Sequence, residues 1–206
     1  MNRTKTSNSW MYEHVNDIYV KLAKKEGFRS RAAYKLLEIN ERDHILKKGM
    51  CVVDLGAAPG SWSQVALHKV GSKGKVIALD ILEMQPLLDV TIVQGDFQEE
   101  SAIIELDQQL VGYKLDVVIS DMAPNISGIG VCDQSRSVYL AELALDFAMK
   151  KLNYGGSFLV KIFQGSDFNQ FLREMRNGFN KVMIRKPKAS RNRSSEVYLL
   201  GLEKKR

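Results

Sequence analysis

Residues 52–62, V-V-D-L-G-A-A-P-G-S-W, decide how this chain folds. The apolar run Cys51–Val53 leads into an acid, two glycines four residues apart and a proline between them, and a new apolar period begins at Trp62. This pattern predicts a buried strand that turns sharply into a helix, which is where an open α/β sheet binds a nucleotide-like ligand. The glycines permit positive φ angles and close approach of the backbone, and Asp54 can accept hydrogen bonds from the ligand.

The loop does not match the dinucleotide-binding pattern. G-x-G-x-x-G sets a pyrophosphate against a helix N-terminus, whereas here the glycine spacing differs and Pro59 removes one N–H that a phosphate would use. The form D-L-G-x-x-P-G is commoner in loops that bind S-adenosylmethionine, so it favours a methyltransferase over a dehydrogenase. A glycine-rich turn without any ligand stays open at this point.

A chain of 206 residues that is 45% hydrophobic can bury one substantial core, so a single domain over 1–206 is expected. We divide it into a basic N-terminal helical extension, 1–48, and an α/β core, 49–206, which includes a basic loop at 187–195. No apolar run approaches the ~20 residues of a membrane span. The N-terminus also lacks the apolar stretch of a secretory signal, so we expect a cytoplasmic protein with no membrane partner.

The cysteines and histidines form no pattern typical of a disulfide or a metal site. Cys51 and Cys132 fit reduced thiols in a cytoplasmic protein, and the three histidines are scattered. No metal is therefore expected, and we expect the protein to be a monomer.

Charge is segregated along the chain. Residues 1–48 carry eleven Lys or Arg against six acids, residues 49–180 ten against sixteen, and residues 181–206 nine against two. Two basic ends around an acidic body favour an RNA-binding face beside a small-molecule site over a merely solvated surface. The candidate RNA contacts are Arg29, Arg31, Lys186, Lys188, Arg191 and Arg193.

Periodicity predicts the remaining elements. Helices are expected at about 10–25, 30–40 and 134–152, and strands at 75–80, 90–97, 115–121, 157–164, 181–186 and 196–202. Asp80 lies 26 residues beyond Asp54, where an acid typically accepts from ribose hydroxyls. Asp96 could bind an adenine amino group with Phe97 beside the ring, or Asp96 could simply cap the next helix. Three strands that each end in an aspartate indicate a ligand site at one sheet edge.

Two lysines and one loop bear on the chemistry. Lys161 lies near the end of an otherwise apolar strand; burial of a lysine is costly unless it is paired, so this side chain is expected to point into a site. Lys35, by contrast, has the pattern of an ordinary exposed helical lysine. The loop 121–128 has neither the aromatic residue of base-N-methylating enzymes nor a nucleophilic cysteine, so the target atom is expected to be a hydroxyl oxygen.

Six motifs, spread from residue 29 to residue 198, together resemble one family. They are R-S-R-A-A-Y-K-L-L-E-I, V-V-D-L-G-A-A-P-G-S-W-S-Q, Q-G-D-F, S-D-M-A-P-N-I-S-G, Y-G-G-S-F-L-V-K-I-F-Q-G and R-K-P-x-x-S-R-x-R-S-x-E-V-Y. The chain resembles the FtsJ/RrmJ (RlmE) family of 2′-O-ribose methyltransferases that act on large-subunit ribosomal RNA, and the resemblance covers residues from about 10 to the end.

The resemblance implies a fold, a cofactor and a substrate. The fold would be a Rossmann-like S-adenosylmethionine-dependent methyltransferase, α/β, with a mostly parallel seven-stranded sheet, helices on both faces and an antiparallel strand in an edge hairpin. The cofactor would be S-adenosyl-L-methionine and the substrate a uridine ribose of 23S rRNA within the large ribosomal subunit; a tRNA ribose 2′-O-methyltransferase is the alternative.

The resemblance also implies site residues. The catalytic set would be Lys35, Asp121, Lys161 and Glu196. The family's cofactor contacts would be Gly60, Trp62, Asp80, Asp96 and Asp121, and the loop and the strand ends add Asp54, Gly56, Pro59 and Phe97 as candidates. Lys161 would act on the hydroxyl either as a base or by steering a lone pair, and the sequence leaves both open.

The chain departs from the family pattern at two places. Ser61 stands where many relatives have a second glycine, and the segment 81–86, I-L-E-M-Q-P, differs from the usual L-L-P-M-D-P. Both departures lie beside the cofactor loop and could alter its rigidity. A nicotinamide-dependent reductase and a non-catalytic RNA-binding protein remain the rival interpretations.

Overall fold

The computed structural model describes residues 17–124, 130–191 and 194–206. Within them the helices are α1 (Ile18–Glu26), α2 (Ala33–Asp43), α3 (Ser61–Val70), α4 (Glu100–Leu110), α5 (Gly130–Lys151) and α6 (Phe168–Gly178). The strands are β1 (Cys51–Leu55), β2 (Lys75–Asp80), β3 (Val90–Gln94), β4 (Leu115–Ser120), β5 (Leu152–Phe163), β6 (Phe179–Arg185) and β7 (Glu196–Lys204). No helix in these ranges is long and apolar enough to cross a membrane.

The seven strands form one sheet in the order β3-β2-β1-β4-β5-β7-β6. The pairs among β1 to β5 are parallel, whereas β7 runs antiparallel to both β5 and β6. The expected α/β fold with a mostly parallel sheet is confirmed. The antiparallel strand belongs to the edge hairpin, but it is β6 that forms the outer strand and β7 that lies inside the sheet.

Helices cover both faces of the sheet, so the central strands are buried on both sides. Helices α2 and α3 bury Leu36, Trp62 and Val65 against one face. Helices α4, α5 and α6 bury Leu106, Ala144 and others against the opposite face. The sheet therefore separates these two cores.

The differences from the predicted elements are local. The first predicted helix, 10–25, corresponds in the described chain to α1, which begins at Ile18. Residues 1–16 lie outside the described chain. Strand β5 starts at Leu152, five residues earlier than expected, with a register irregularity opposite β4. Helix α6 was not predicted, although its buried residues Phe168, Phe171, Leu172 and Met175 have helical spacing.

Candidate active site

The carboxyl ends of β1, β2, β3, β4 and β5 lie at one edge of the sheet, where open α/β sheets bind ligands. Because β7 is antiparallel, its first residue, Glu196, lies at this same edge, opposite Phe163. Two cavities open here and adjoin at Ala123. We call them the acidic cavity and the basic cavity after the side chains that line them.

The acidic cavity has a volume of about 550 Å³ and is lined by Asp80, Asp96 and Asp121 together with the apolar side chains of Ile81, Leu82 and Phe97. Within the described chain, no lysine, arginine or histidine lines it. Its size is typical of a small-molecule site. Asp80 and Asp96 have no cationic side chain beside them in this lining, which favours a positively charged ligand and disfavours a pyrophosphate.

The strand-end aspartates also organise their own loops. Asp80 accepts hydrogen bonds from the backbone N–H of Ala58 and of Leu82, both at 2.8 Å. It therefore ties the glycine-containing turn after β1 to the loop after β2. Asp96 accepts from the N–H of Gln98 at 2.9 Å, and α4 begins only at Glu100 with Glu99 as its N-cap. Asp96 therefore does not cap that helix, and its carboxylate remains at the cavity.

Asp54 is fully buried behind the acidic cavity. One of its oxygens, Oδ2, accepts from the Ser63 hydroxyl at 2.6 Å, while Oδ1 has no hydrogen-bond partner within the described chain. Burial raises the pKa of this carboxyl to about 7. The Ser63 hydrogen bond lowers the pKa, whereas the nearby Asp121 and Asp80 carboxylates raise it. Oδ1 is therefore an unpaired buried acceptor, although Asp54 itself does not line the acidic cavity.

The loop residues of the quoted stretch have separate positions. Gly56 lines the acidic cavity with φ +73°, and a Cβ there would collide with Met122. Gly60 has φ +105° and is the N-cap of α3. Pro59 follows a cis peptide bond, and its carbonyl accepts from Arg29. Gly56 and Ala58 of this turn thus line the acidic cavity, whereas Pro59 and Gly60 do not.

Trp62, predicted as a cofactor contact, has its side chain in the core. The indole is 2% exposed, donates through Nε1 to the Ala32 carbonyl at 2.8 Å and packs against Tyr198 with 5.6 Å between ring centroids. The side chain therefore faces α2, and Trp62 does not line the acidic cavity.

The basic cavity, of about 560 Å³, lies on the other side of Ala123. Its charged lining in the described chain is Arg31, Lys35, Lys161, Arg191 and Glu196, and Phe163 adds an aromatic face. An excess of cationic side chains suits the phosphates of a nucleic acid, and an aromatic face suits a base.

The four residues of the predicted catalytic set lie together between the cavities. Lys161 Nζ lies 3.0 Å from Asp121 Oδ1 and donates to the Asp121 carbonyl at 2.5 Å. Lys35 Nζ lies 2.9 Å from Glu196 Oε1 and 3.9 Å from Asp121 Oδ2. Lys35 is thus no ordinary exposed lysine, since 13% of its side chain is accessible.

Strand register explains how these side chains meet. Lys161 is directly opposite Tyr198 in the β5–β7 pair, and Glu196 is two residues from Tyr198 on the same face of β7. That face is the one covered by α2, because Tyr198 packs in the core that contains Leu36. Lys35, one residue before Leu36, therefore reaches the same group of side chains.

Asp121 is held as a carboxylate by its surroundings. Burial alone would raise its pKa, but the ammonium groups of Lys161 and Lys35, with hydrogen bonds from Lys161 and Tyr198, lower the pKa below its usual value. Two adjacent cations outweigh the burial cost. The charged Asp121 in turn fixes the position of the Lys161 ammonium, which has one further N–H to offer a ligand.

Tyr198 is a site residue that was not predicted. Its hydroxyl donates to Asp121 Oδ1 at 2.8 Å, and its ring lies 5.6 Å from Lys35 Nζ. Burial, then the charges of Asp121 and Glu196, raise the pKa of this phenol well above its usual value. The phenol therefore stays a donor. The signal was present in E-V-Y at 196–198, since alternate residues of a strand share one face.

The predicted RNA contacts divide into two groups. Arg31 pairs with Asp17 at 2.6 Å and donates to the Ala189 carbonyl, and Lys186 donates to the carbonyls of Ser194 and Glu196, each at 2.6 Å. These two hold the loop 187–195 in place. Lys188 is exposed; Arg191 lines the basic cavity; Arg193 lies outside the described residues.

Arg29 does not have the geometry of a free phosphate contact. Its guanidinium donates to three backbone carbonyls, those of Pro59, Gln85 and Pro86. Three of its five N–H donors are therefore occupied by the protein, which argues against the predicted role of Arg29 as an RNA contact.

Metal and thiol chemistry find no support in the described chain. No group of three or more His, Cys, Asp or Glu side chains there could hold a metal ion. Cys51 is a buried free thiol, and burial raises its pKa to about 11, which makes it a poor nucleophile. The side chain of Cys132 lies outside the described part.

Comparisons with known proteins agree with this geometry. The family model of FtsJ-like methyltransferases matches residues 28–204. The chain is 63% identical over 205 residues to "Ribosomal RNA large subunit methyltransferase E" of Nitrosospira multiformis, covering 100% of both chains. It is 60% identical to the protein of the same name from Chromobacterium violaceum, covering 98% of each.

A solved structure shows the same fold. It belongs to a Plasmodium falciparum protein provisionally assigned as a ribosomal RNA methyltransferase, with 32% identity and a TM-score of 0.78, covering 86% of this chain and 98% of that one. The match of the family model over most of the chain, together with full-length relatives of high identity, shows that this protein belongs to the FtsJ-like methyltransferase family.

Proposed function

We propose that this protein transfers a methyl group from S-adenosylmethionine to the 2′-hydroxyl of a uridine ribose in 23S rRNA of the large ribosomal subunit. The observation that carries the proposal is the contrast between two adjoining cavities, one lined by three carboxylates and the other by four cationic side chains. A cationic cofactor suits the first and a polyanionic substrate suits the second.

The residues of the acidic cavity fit S-adenosylmethionine in particular. Its ammonium and sulfonium groups are positive, and its ribose and adenine offer hydroxyl and amino donors to Asp80 and Asp96. A dinucleotide would place its pyrophosphate among carboxylates and against a loop that lacks the Pro59 N–H. When bound, S-adenosylmethionine supplies an electrophilic methyl group.

The chain's own residues would then position the hydroxyl. The Lys161 ammonium is paired with Asp121 at 3.0 Å, and its remaining N–H can hold the oxygen of a 2′-hydroxyl with a lone pair directed toward the acidic cavity. This geometry supports steering of the hydroxyl, because two contacts with Asp121 fix the position of Lys161 Nζ. Lys35 and Glu196, 2.9 Å apart, would fix the ribose from the basic side. Alignment of two reactants supplies a large part of such a rate.

The substrate part of the proposal is supported by the relatives. The curated relatives of highest identity here are named for methylation of large-subunit ribosomal RNA. The loop 121–124 bears no aromatic side chain that could stack on a flipped base, which supports ribose over base as the target.

The test combines binding with product mapping. Calorimetry should show that the wild-type protein binds S-adenosylmethionine and not NADH. Large subunits from cells that lack this gene should gain one ribose methyl group on a 23S rRNA uridine, whereas tRNA should gain none. Methylation of a base, or of tRNA alone, would contradict the proposal.

Lys161→Ala supplies the catalytic control. It should lower turnover by at least about 100-fold while S-adenosylmethionine affinity stays within a few-fold, because the side chain acts on the hydroxyl. Lys73→Ala changes an exposed lysine in the turn before β2, at the opposite sheet edge, and should match the wild type. Substantial turnover in Lys161→Ala would refute its role.

A further inference from the structure

The side chain of Arg29 joins three segments around the acidic cavity. Nη1 donates to the carbonyls of Pro59 at 2.8 Å and Gln85 at 2.7 Å, and Nη2 donates to the carbonyl of Pro86 at 2.8 Å. The first carbonyl belongs to the turn after β1, and the other two belong to the loop after β2. One planar guanidinium thus spans both loops with a fork of N–H groups.

Arg29 itself is anchored to α3. Its backbone N–H donates to Gln64 Oε1 at 2.8 Å, and Gln64 Nε2 donates to the Gly27 carbonyl at 3.0 Å. The Ser30 and Ser61 hydroxyls are also hydrogen-bonded to each other at 2.6 Å, between the same two segments. The residue at which the chain departs from the family pattern, Ser61, therefore adds a link between α3 and the segment before α2.

The absence of a side chain at Gly60 makes room for the guanidinium. A Cβ at Gly60 would lie 2.9 Å from Arg29 Nη1, 3.0 Å from Leu87 Cδ1 and 3.1 Å from Met84 Cε. The turn, the guanidinium and the loop after β2 are therefore in contact at this point. Met84 is 7% exposed and packs with Ala57 and Ala78, so it fixes the middle of the same loop.

The loop that Arg29 holds carries part of the wall of the acidic cavity. Ile81 and Leu82 line the cavity and are 61% and 64% exposed. Large apolar side chains exposed side by side at a cavity rim suit a flat apolar group of a ligand. Within the described chain, this loop contains no helix or strand between Asp80 and Val90, so its position depends on individual contacts.

We propose that Arg29 is a positioning residue for the cofactor, which fastens the loop 81–86 to the turn 57–60 and so holds the rim of the acidic cavity in its binding form. This proposal rests on the proposed function, because it takes the ligand of that cavity to be S-adenosylmethionine. It replaces the role of an RNA phosphate contact for this arginine.

Arg29→Lys separates the two roles. Lysine keeps the positive charge that a phosphate contact needs, but it lacks the planar fork that reaches three carbonyls. We expect S-adenosylmethionine to bind Arg29→Lys about tenfold more weakly, as it would if only a tenth of the molecules held the rim in place. RNA affinity and its salt dependence should equal those of the wild type. Arg42→Lys, an exposed arginine on α2, is the matched control and should change neither value.

Arg29→Gln extends the test by removing the charge. A phosphate contact would appear as weaker RNA binding and as a log–log salt slope lower by roughly 0.7 to 0.9. The positioning role predicts an unchanged slope and weaker cofactor binding, with the rise in KM for S-adenosylmethionine larger than the fall in kcat. A lower slope together with wild-type cofactor affinity would overturn the proposal.

Limited proteolysis provides a readout that needs no activity. The exposed Glu83 lies within the loop, and a glutamate-specific protease should cleave after it several-fold faster in Arg29→Lys than in the wild type. S-adenosylmethionine should slow this cleavage, while other sites should be cleaved equally. Equal cleavage after Glu83 in both proteins would show that Arg29 does not hold the loop 81–86 in place. If the wild-type protein does not bind S-adenosylmethionine, both the proposed function and the Arg29 proposal fail. If the wild type binds it and the Arg29 variants bind it equally well, the Arg29 proposal fails and the proposed function stands.

Discussion

Substitution of Asp54 by asparagine tests whether the buried carboxyl behind the acidic cavity is protonated. The side chain has no accessible surface, and one oxygen has no partner within the described chain. Burial raises its pKa from 3.8 to about 7. Asparagine has nearly the same shape, can accept the Ser63 hydrogen bond and does not titrate.

The sign and size of the effect follow from proton linkage. Because the folded pKa lies above the unfolded pKa, the favourable contribution of the protonated group is complete below about pH 4 and is lost as the pH rises toward 7. At ~1.4 kcal/mol per pKa unit, the wild type loses roughly 4 kcal/mol of unfolding free energy over that interval. Only about two of these pKa units lie above pH 5, so the stability of Asp54→Asn relative to the wild type should rise by roughly 3 kcal/mol between pH 5 and pH 8.

The assay is urea unfolding of both proteins at several pH values, with the midpoint and the slope recorded at each. Asp89→Asn is the matched control, since Asp89 is exposed and has φ +62°, which asparagine tolerates well. A stability difference for Asp54→Asn that stays constant over this range would refute the reasoning, because it would mean that the folded protein binds no extra proton at Asp54.

Two further substitutions test the site and the RNA face. Tyr198→Phe removes the hydrogen bond to Asp121 and keeps the ring, so the unfolding free energy should fall by about 2 kcal/mol and the melting temperature by roughly 5 °C. The fall in kcat should be larger than the change in KM for S-adenosylmethionine. Thermal melts and steady-state kinetics measure these effects, and unchanged values would mean that the Asp121 contact has no role. Lys188→Ala should lower the log–log salt slope of RNA binding by roughly 0.7 to 0.9 if its exposed ammonium contacts one phosphate, and a slope equal to that of Lys73→Ala would show that it does not.

The fold was predictable because its signals are local. A run of apolar residues that ends in Asp54 and is followed by glycine indicates a strand, a turn and a helix, and the same pattern with an acid at the end recurs at Asp80. The expected α/β sheet follows from these repeats. Helix α6 also has a local signal, although it was not predicted, because Phe168, Phe171 and Met175 have helical spacing.

The candidate site was less predictable because it depends on contacts between distant residues. From its helix alone, Lys35 could not be told from a surface lysine; only the insertion of β7 brings Glu196 to within 2.9 Å of it. The role of Arg29 depends on carbonyls that lie 30 to 57 residues away. Backbone acceptors leave no mark in a sequence, so a basic residue that binds them looks like one that binds phosphate.

The position of β7 inside the sheet has a consequence for synthesis of the protein. Strand β6 pairs only with β7 within the described sheet, and β7 also supplies Glu196 and Tyr198. While a ribosome is still translating the segment before residue 196, β6 has no neighbour to pair with and Lys35 has no glutamate. A nascent chain can therefore assemble β1 to β5 early, but Lys35 acquires its Glu196 partner only when β7 has emerged.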